Sequence, residues 1–402
     1  MKKLGQSLFF FFFKVILGIY VFLFQHFRFR KNGYKLPKGP VLFLSNHHSD
    51  WDPIYLNVMF FSRNIRFLAN DELFSNRFLD FIFRTCLGAV KRGSSKTDVS
   101  GVRSILALKK QHLNIGIYPE GDIHMFGRMI NVNEAISKLA LKLDMPIALL
   151  NLTGAHLRAP RWSHYPYRSR VTYHLNDIIR VDELQRMDLN ALNERIWKGI
   201  ASDEMAWQKK AMVRQWGFRR AEWLELGLFC CPNCGRFESL KSCGNDLSCT
   251  SCGTTYHFDG HSFFHFPKDY PGPRFQTTAE WDDWQLVALS DFIKSKSGGI
   301  IFTCPHLEFS RAEYGKFFSK NRSEDARLTI YSDHLEIVTG SGETNVVLSQ
   351  IVKVQLQYKD TLEVDLSDIR FRFHQSGHRW SGYLYSQTIH ALCAIHQSQT
   401  TT

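Results

Sequence analysis

Between Val41 and about Leu175, short apolar runs alternate with amphipathic segments, and this alternation restricts the fold more than any other feature of the chain. Candidate strands are Val41 to Ser45, Ile65 to Ala69, Ile115 to Tyr118, Pro146 to Leu152 and Val171 to His174. The helical candidates between them are Pro53 to Phe61, Asn76 to Arg84, Asp98 to His112 and Asn133 to Lys142, with Lys109 and Lys110 placed where a helix C-terminus favours cations. Strand then helix, repeated, predicts an α/β domain: a mixed sheet flanked by helices.

At 402 residues the chain exceeds one such domain, since about 150 residues per domain gives two to three. Asn193 to Leu228 reads as one long helix carrying Trp197, Trp207, Trp216 and Trp223 among Lys198, Lys209, Lys210, Arg214, Arg219 and Arg220. Such a helix either packs its aromatics on the α/β domain or lies against a membrane. Phe229 to about Phe266 is a compact cysteine module, followed by the linker PKDYPGPRF and a helix opened by a Thr277–Glu280 capping box. From Arg327 the pattern becomes short alternating strands (LTIY, HLEIVT, NVVLSQIVKVQLQY, TLEVDL, IRFRFH) and ends in an amphipathic helix from about Ser381 to His396. Antiparallel strands closed by one helix resemble a pleckstrin-homology-like module, a topology that binds proteins as often as lipids.

Charge is concentrated at one end. Lys2, Lys3, Lys14, Arg28, Arg30, Lys31, Lys35 and Lys38 precede the first acidic residue, Asp50, in a chain of net charge +12. A basic flank beside an apolar run suits anionic lipid headgroups better than nucleic acid, for which no partner role is expected. The 33 Phe point the same way, toward lipid or an apolar tunnel. Leu8 to Phe24 is apolar except for Lys14 and Gly18, which is barely the ~20 residues a helical span needs. An embedded or re-entrant membrane helix within residues 1–34 is therefore preferred to a clean span. A signal peptide also begins with Lys, but QHFRFRK offers no small-residue cleavage site.

The segment VLFLSNHHSDWDPIYL delivers Asn46 and His47 from a buried strand to a loop, and Asp52 followed by Pro53 has the form of a helix cap and first turn. A carboxylate there can fix the tautomer of His47 and stabilise its protonated form. NIGIYPEGDIH repeats the theme, an apolar strand ending in Pro119, Glu120 and Gly121. Glu120 either orders a substrate or holds a neighbouring loop, and a glycine at Gly121 permits close approach of backbone to a ligand.

These two stretches resemble the glycerolipid acyltransferase family, of which 1-acylglycerol-3-phosphate (lysophosphatidate) acyltransferase is typical. The Asn-His-x-x-x-x-Asp motif is matched by Asn46, His47, Ser49, Asp52 and Pro53, and aromatic-Pro-Glu-Gly by Tyr118, Pro119, Glu120 and Gly121. Asp122 and Ile123 stand where that family has Thr and a basic residue. LGAVKRG supplies Gly88 and Arg92 in a form that looks like a shortened second motif, and MPIALLNLTGA around Pro146 resembles the fourth. The resemblance covers residues 35 to 230. It implies direct transfer of an acyl group from acyl-CoA or an acyl carrier protein thioester to a lysophospholipid hydroxyl, with His47 as base, Asp52 as its orienter, Arg92 on the acceptor phosphate and no enzyme nucleophile. Ser49 then braces the loop, and backbone N–H groups near Gly121 or at the helix after Pro53 face the oxyanion. Lys91 or Arg128 can assist Arg92. Departure at Ile123 keeps other polar-lipid acceptors open, as well as a catalytically silent lipid-binding adaptor.

Six of nine cysteines lie between Cys230 and Cys252, which suits metal binding in a reducing compartment. CPNCG and CTSCG are two Cys-x-x-Cys turns 14 residues apart, so Cys231, Cys234, Cys249 and Cys252 are expected to hold a structural zinc, with Cys230 and Cys243 spare. Cys86, Cys304 and Cys393 read as small buried apolar residues. The organisation expected is a membrane anchor (1–34), an acyltransferase domain (35–228), a zinc ribbon (229–266) and a helix plus β-rich domain (267–402) that offers a surface for a protein partner. The active site is expected at the cytoplasmic face of a membrane.

Overall fold

The computed structural model describes residues 2–69, 74, 76–81, 83–84, 88–91, 99–129, 134–296, 298–313, 316, 318, 323–375, 377 and 379–400. The chain divides into two compact units, residues 1–160 with 166–216, and residues 161–165 with 217–402.

The first unit is built on a seven-stranded sheet. Its strands are β1 (Phe27–Arg30), β2 (Leu42–Ser45), β3 (Ile65–Ala69), β4 (Ala89–Lys91), β5 (Asn114–Ile117), β6 (Ile147–Thr153) and β7 (Val171–Ile179), in the order β1-β7-β6-β2-β5-β3-β4. The five strands from β6 to β4 run parallel, and β7 is antiparallel to β6. Helices α1 (Lys2–Phe24), α2 (Asp52–Met59), α3 (Arg77–Phe81), α4 (Val99–Lys110), α5 (Ala135–Leu143), α6 (Ala155–Arg158), α7 (Val181–Leu184), α8 (Leu189–Ile200) and α9 (Glu204–Ala211) complete the unit. Successive side chains of a strand face opposite sides. Phe43 accordingly joins Tyr55, Val58 and Leu150 in one apolar layer, while Leu42 and Leu44 join Ile105, Leu149, Leu192 and Ile196 in the other. A sheet covered on both faces explains why these strands are continuous apolar runs. All five candidate strands form, Ile65–Ala69 as read and the other four with shifted ends. β1 falls instead in the basic stretch read only as a flank, because an edge strand with one buried residue, Phe27, carries little apolar signal.

Along α1, Lys14, Gly18 and Val21 are buried while Phe11, Phe12, Ile16, Ile19, Phe22 and Leu23 are exposed. Lys14 donates to the carbonyls of Phe61 (3.2 Å) and Arg63 just beyond α2, so the cation inside the apolar run ties two chain segments together. Among the described residues no helix is long and apolar enough to cross a membrane, and a spanning anchor is not supported.

The long helix expected over 193–228 is two short ones. α8 ends at Ile200, and Asp203 caps a new helix by accepting the Ala206 N–H (2.8 Å). α9 then stops at Met212 in the left-handed region. Trp216 pairs its backbone with Arg168, and Trp223 precedes a single 3-10 turn over Leu224–Leu226. Aromatic and basic content without a sustained apolar period misled the sequence reading.

The second unit contains a four-stranded antiparallel sheet of β8 (Leu240–Cys243), β9 (Asp246–Cys249), β10 (Thr255–Phe258) and β11 (Phe264–His265). Helix α10 (Thr278–Ser295) starts in the expected capping box, with Thr277 and Glu280 each satisfying the other's backbone N–H. Seven antiparallel strands follow: β12 (Ile300–Glu313), β13 (Glu324–Tyr331), β14 (His334–Thr339), β15 (Gly342–Val347), β16 (Lys353–Gln357), β17 (Thr361–Asp365) and β18 (Ile369–His374). They are ordered β15-β14-β13-β12-β18-β17-β16, and helix α11 (Gly382–Thr400) comes last. β12 went unread because it contains Pro305. The structure places that proline in a register shift between Cys304 and Leu307, where no ladder donor is needed.

Candidate active site

β2 ends at Ser45, at the carboxyl edge of the parallel strands, where open α/β sheets leave space for a ligand. The Asn46 amide extends the strand pairing after the backbone has turned away: it accepts the Leu152 N–H (2.7 Å) and donates to the Leu152 carbonyl (2.9 Å). The loop is thereby stitched to β6. Ser45 Oγ meets the Tyr173 hydroxyl at 2.9 Å beneath it.

His47 Nδ1 lies 2.9 Å from Asp52 Oδ2, so the two residues expected to meet do so. The same carboxylate also accepts from the N–H groups of His48 (2.7 Å) and Ser49 (3.0 Å) and from Ser49 Oγ (2.6 Å). Asp52 is therefore not a cap reaching forward. It is the first residue of α2, after Trp51, and gathers the donors of the loop before it. Ser49 is bound into that network as a brace. With Nδ1–H given to Asp52, Nε2 is the ring atom left to exchange protons. Asp52 is fully buried, while the His47 side chain keeps 19% of its surface exposed. Burial by itself lowers the pKa of His47, but the hydrogen bond to Asp52 and the charges of Asp52, Glu120 and Asp50 outweigh it and raise the pKa above the ordinary imidazole value.

The third motif serves the first. Glu120 Oε1 accepts the backbone N–H of His47 at 2.6 Å, which is the loop-holding role of the two foreseen for it. Tyr118 stacks on the His47 ring with centroids 4.4 Å apart, and Phe67 stacks on Tyr118 at 5.6 Å. Gly116 makes room for this column, since a Cβ there would lie 2.2 Å from the Phe67 ring. Tyr118 was visible in the motif, but its ring stacking was not.

Gly121 has φ +72° and donates its N–H to the Tyr118 carbonyl (3.2 Å), so it closes a turn and its N–H is not aimed at an oxyanion. The N–H groups of Ile54 and Tyr55 at the start of α2 likewise bond the Trp51 carbonyl, at 2.9 and 3.0 Å. The N–H groups of Gly121, Ile54 and Tyr55 are thus committed to backbone carbonyls. Arg92 lies outside the described residues. Lys91, at the end of β4, sits 5.5 Å from the Phe74 ring centroid, and Arg128 pairs its backbone with Asp203.

A buried layer under the loop had no sequence signal. His48 Nε2 meets Ser202 Oγ at 2.9 Å, and Glu204 Oε1 lies 3.9 Å from the same nitrogen. Burial pushes His48 down to about 4 and Glu204 up to about 8, so at neutral pH the pair is uncharged and is no ion pair. Both Glu204 oxygens accept from the Gly154 N–H, at 2.7 and 2.9 Å, at the turn into α6. Gly154 itself, at φ +82°, has no room for a Cβ, which would fall 2.0 Å from the Arg170 carbonyl oxygen.

Residues 26–150 match the family model described as Acyltransferase. That match spans about a third of the chain. The matched stretch includes the His47–Asp52 pair, Tyr118 and Glu120. No curated protein matches the chain by sequence. Among solved structures, the 1-acyl-sn-glycerophosphate (LPA) acyltransferase PlsC of Thermotoga maritima aligns at 14% identity and TM-score 0.39, covering 52% of this chain and 98% of that one. The N-terminal PH domain of Vps36 aligns at 16% identity and TM-score 0.19, covering 24% of this chain and 81% of that one.

Outside the matched residues, Cys231, Cys234, Cys249 and Cys252 bring their sulfurs within 4.8 Å of one another. Two sulfur pairs are 3.8 and 3.7 Å apart. A tetrahedron with Zn–S bonds of ~2.3 Å has edges of about 3.8 Å, so the four thiols fit zinc. Asn233 Nδ2 and the Ser251 N–H each approach a cluster sulfur at 3.4 Å, and such donors favour thiolates. Cys230 and Cys243 stand outside the cluster; Cys304 is buried, Cys393 half-buried, and Cys86 lies outside the described residues.

Proposed function

We propose that this protein transfers a fatty acyl group from a thioester, acyl-CoA or acyl carrier protein, to the hydroxyl of a lysophospholipid, with 1-acylglycerol-3-phosphate giving phosphatidate as the leading reaction. The observation that carries the reading is the His47–Asp52 pair, with the imidazole partly exposed and its Nδ1 committed to a buried carboxylate. His47 Nε2 takes the proton of the acceptor hydroxyl as that oxygen attacks the thioester carbonyl. The tetrahedral intermediate then collapses, the C–S bond breaks, and the imidazolium returns the proton to the departing thiolate. Asp52 stabilises the imidazolium between these steps. No side chain becomes acylated, in accord with Ser49 being engaged by Asp52.

Zinc held by Cys231, Cys234, Cys249 and Cys252 would be structural, since four thiolates leave no open position. The exposed apolar residues of α1, together with the basic residues that follow, suit a helix lying in the interface of an anionic membrane, with the active site on the cytoplasmic side. The second unit offers a surface for a protein partner, and nucleic acid has no part in the proposal. Ile123 in place of a basic residue keeps another lysophospholipid or polar lipid as the second reading of the acceptor, and a silent lipid-binding adaptor as the non-enzymatic one.

The test is detergent-purified protein with labelled acyl thioester and a panel of acceptors, beside His47→Ala. Turnover that is fastest with lysophosphatidate and lost in the variant supports the proposal. Preference for another acceptor selects the second reading, and absence of turnover with every acceptor selects the adaptor.

A further inference from the structure

Arg158 closes α6, which follows β6 directly, and β6 is the parallel neighbour of β2. The guanidinium therefore belongs to the same carboxyl edge of the sheet as His47. It lies over the ring of Trp51, 5.4 Å from the centroid, and Trp51 is part of the loop between His47 and Asp52. Arg158 is only 5% exposed, and its Nη1 is buried with no hydrogen-bond partner. Among the described residues no carboxylate forms an ion pair with it.

A buried guanidinium without an anion is costly, because a neutral partner such as the Tyr55 hydroxyl replaces only part of the lost hydration. The two buried acids nearby do not supply the replacement. Asp52 is occupied by His47, His48 and Ser49, and Glu204 by the Gly154 N–H. The Trp51 ring lies against the guanidinium and the Tyr55 hydroxyl engages it, while Nη1 is the donor left without a partner, and an oxyanion is the group that would satisfy it. Tyr20 of α1 stacks on the other partner of this arrangement, Trp51, at 5.6 Å, so the apolar helix borders the same place.

We infer that Arg158 is a substrate-binding residue that holds a phosphate group through its Nη1 edge. The inference rests on the acyl-transfer reading for its ligand: both substrates of that reaction carry phosphate, the lysophospholipid in its headgroup and coenzyme A in its carrier. The guanidinium would anchor that phosphate beside the loop that presents His47, and so orient the reacting group toward Nε2.

The experiment uses the full chain in detergent and compares wild type with Arg158→Met and Arg158→Lys. KM is measured separately for lysophosphatidate and for acyl-CoA, and binding of glycerol 3-phosphate by calorimetry. A rise in KM of about 10- to 100-fold in Arg158→Met is expected for one phosphate-bearing substrate. A rise confined to lysophosphatidate places the phosphate on the acceptor, and one confined to acyl-CoA places it on the donor. Should the Met variant not fold, Arg158→Lys keeps the charge but loses the fork, and a rise of about 3- to 10-fold is expected. Unchanged KM values, or an equal loss with a phosphate-free monoacylglycerol acceptor, would overturn the inference while leaving acyl transfer standing. If wild type turned over nothing, the acyl-transfer reading would fail on its own, and the glycerol 3-phosphate titration would still decide: weaker binding by Arg158→Met supports the phosphate site, equal binding overturns it.

Discussion

The His47–Asp52 loop and the cysteine cluster are both sites written in a few closely spaced letters, yet they are held in different ways. The four thiols come from two short turns, and the polar groups beside them, Asn233 and Ser251 within the turns and Ser239 and Tyr256 close by, belong to the same short stretch of chain. The His47–Asp52 pair is local in sequence, but its supports are not: Glu120, Tyr118, Leu152 and Ser202 arrive from three other parts of the chain. A closed metal site can be autonomous because the ion supplies the cohesion. A site that must leave one imidazole face open to substrate takes its rigidity from the fold around it.

Removing metal tests the first half of that contrast and carries the largest energy. Structural zinc is worth about 10–16 kcal/mol in small modules. Chelation should release zinc and raise hydrogen exchange across 229–266 while the amides of β2, β5 and β6 remain protected. Loss of protection in those three strands would show that the cluster is not autonomous.

His47→Ala should lower kcat by about 10²–10⁴-fold with little change in melting temperature, because a partly exposed ring is removed and its loop keeps the Asp52, Asn46 and Glu120 hydrogen bonds. Gly116→Ala, which alters no polar group of the site, should also reduce kcat, by about tenfold or more, since the added methyl displaces Phe67 and through Tyr118 the His47 ring. Full activity in that variant would show that the stacked column does not position the base.

Glu204 offers the smallest and most specific test. Its folded pKa of about 8 exceeds the ordinary 4.5, so the neutral carboxyl stabilises the fold fully below about 4.5, and that contribution is lost as pH rises toward 8. His48 works in the opposite sense, its depressed value of about 4 giving stability above the usual 6.5 that is lost as pH falls. Glu204→Gln keeps one oxygen for Gly154 and should flatten the decline in melting temperature between pH 5 and 8. Glu204→Ala, which orphans that N–H, should cost about 1–3 kcal/mol below pH 4.5 and progressively less as pH rises toward 8. Equal pH slopes in wild type and Glu204→Gln would contradict a neutral buried acid.

The same contrast explains what the sequence revealed. Strands β2, β5 and β6 were legible because burial on both faces makes them unbroken apolar runs, and the pairing of His47 with Asp52 because one loop spans both. The Cys-x-x-Cys turns were legible because ligand spacing is itself the geometry. Edge strand β1 and the proline-bearing β12 were not, since each breaks the local rule and is rescued by its neighbours. Lys14 looked like a charge inside an apolar run, and only the folded chain shows the carbonyls that accept it. Ser202 and Glu204 follow α8 in a polar stretch whose letters give no sign that they lie beneath a loop some 150 residues earlier. Arg158 was hidden for a similar reason: an arginine after an apolar strand reads as a solvated helix end, and its burial against Trp51 is a tertiary fact.

The central claim is that Asp52 orients and charges His47 as the base of acyl transfer. The pH dependence of kcat/KM for wild type and Asp52→Asn measures it most directly. Wild type should gain activity with rising pH and level off above an apparent pKa higher than about 6.5, because the protonated ring cannot accept a proton. Asp52→Asn should be slower by orders of magnitude, with that limb moved to lower pH as burial then acts with less opposition. Matching limbs and matching rates in the two proteins would contradict the account.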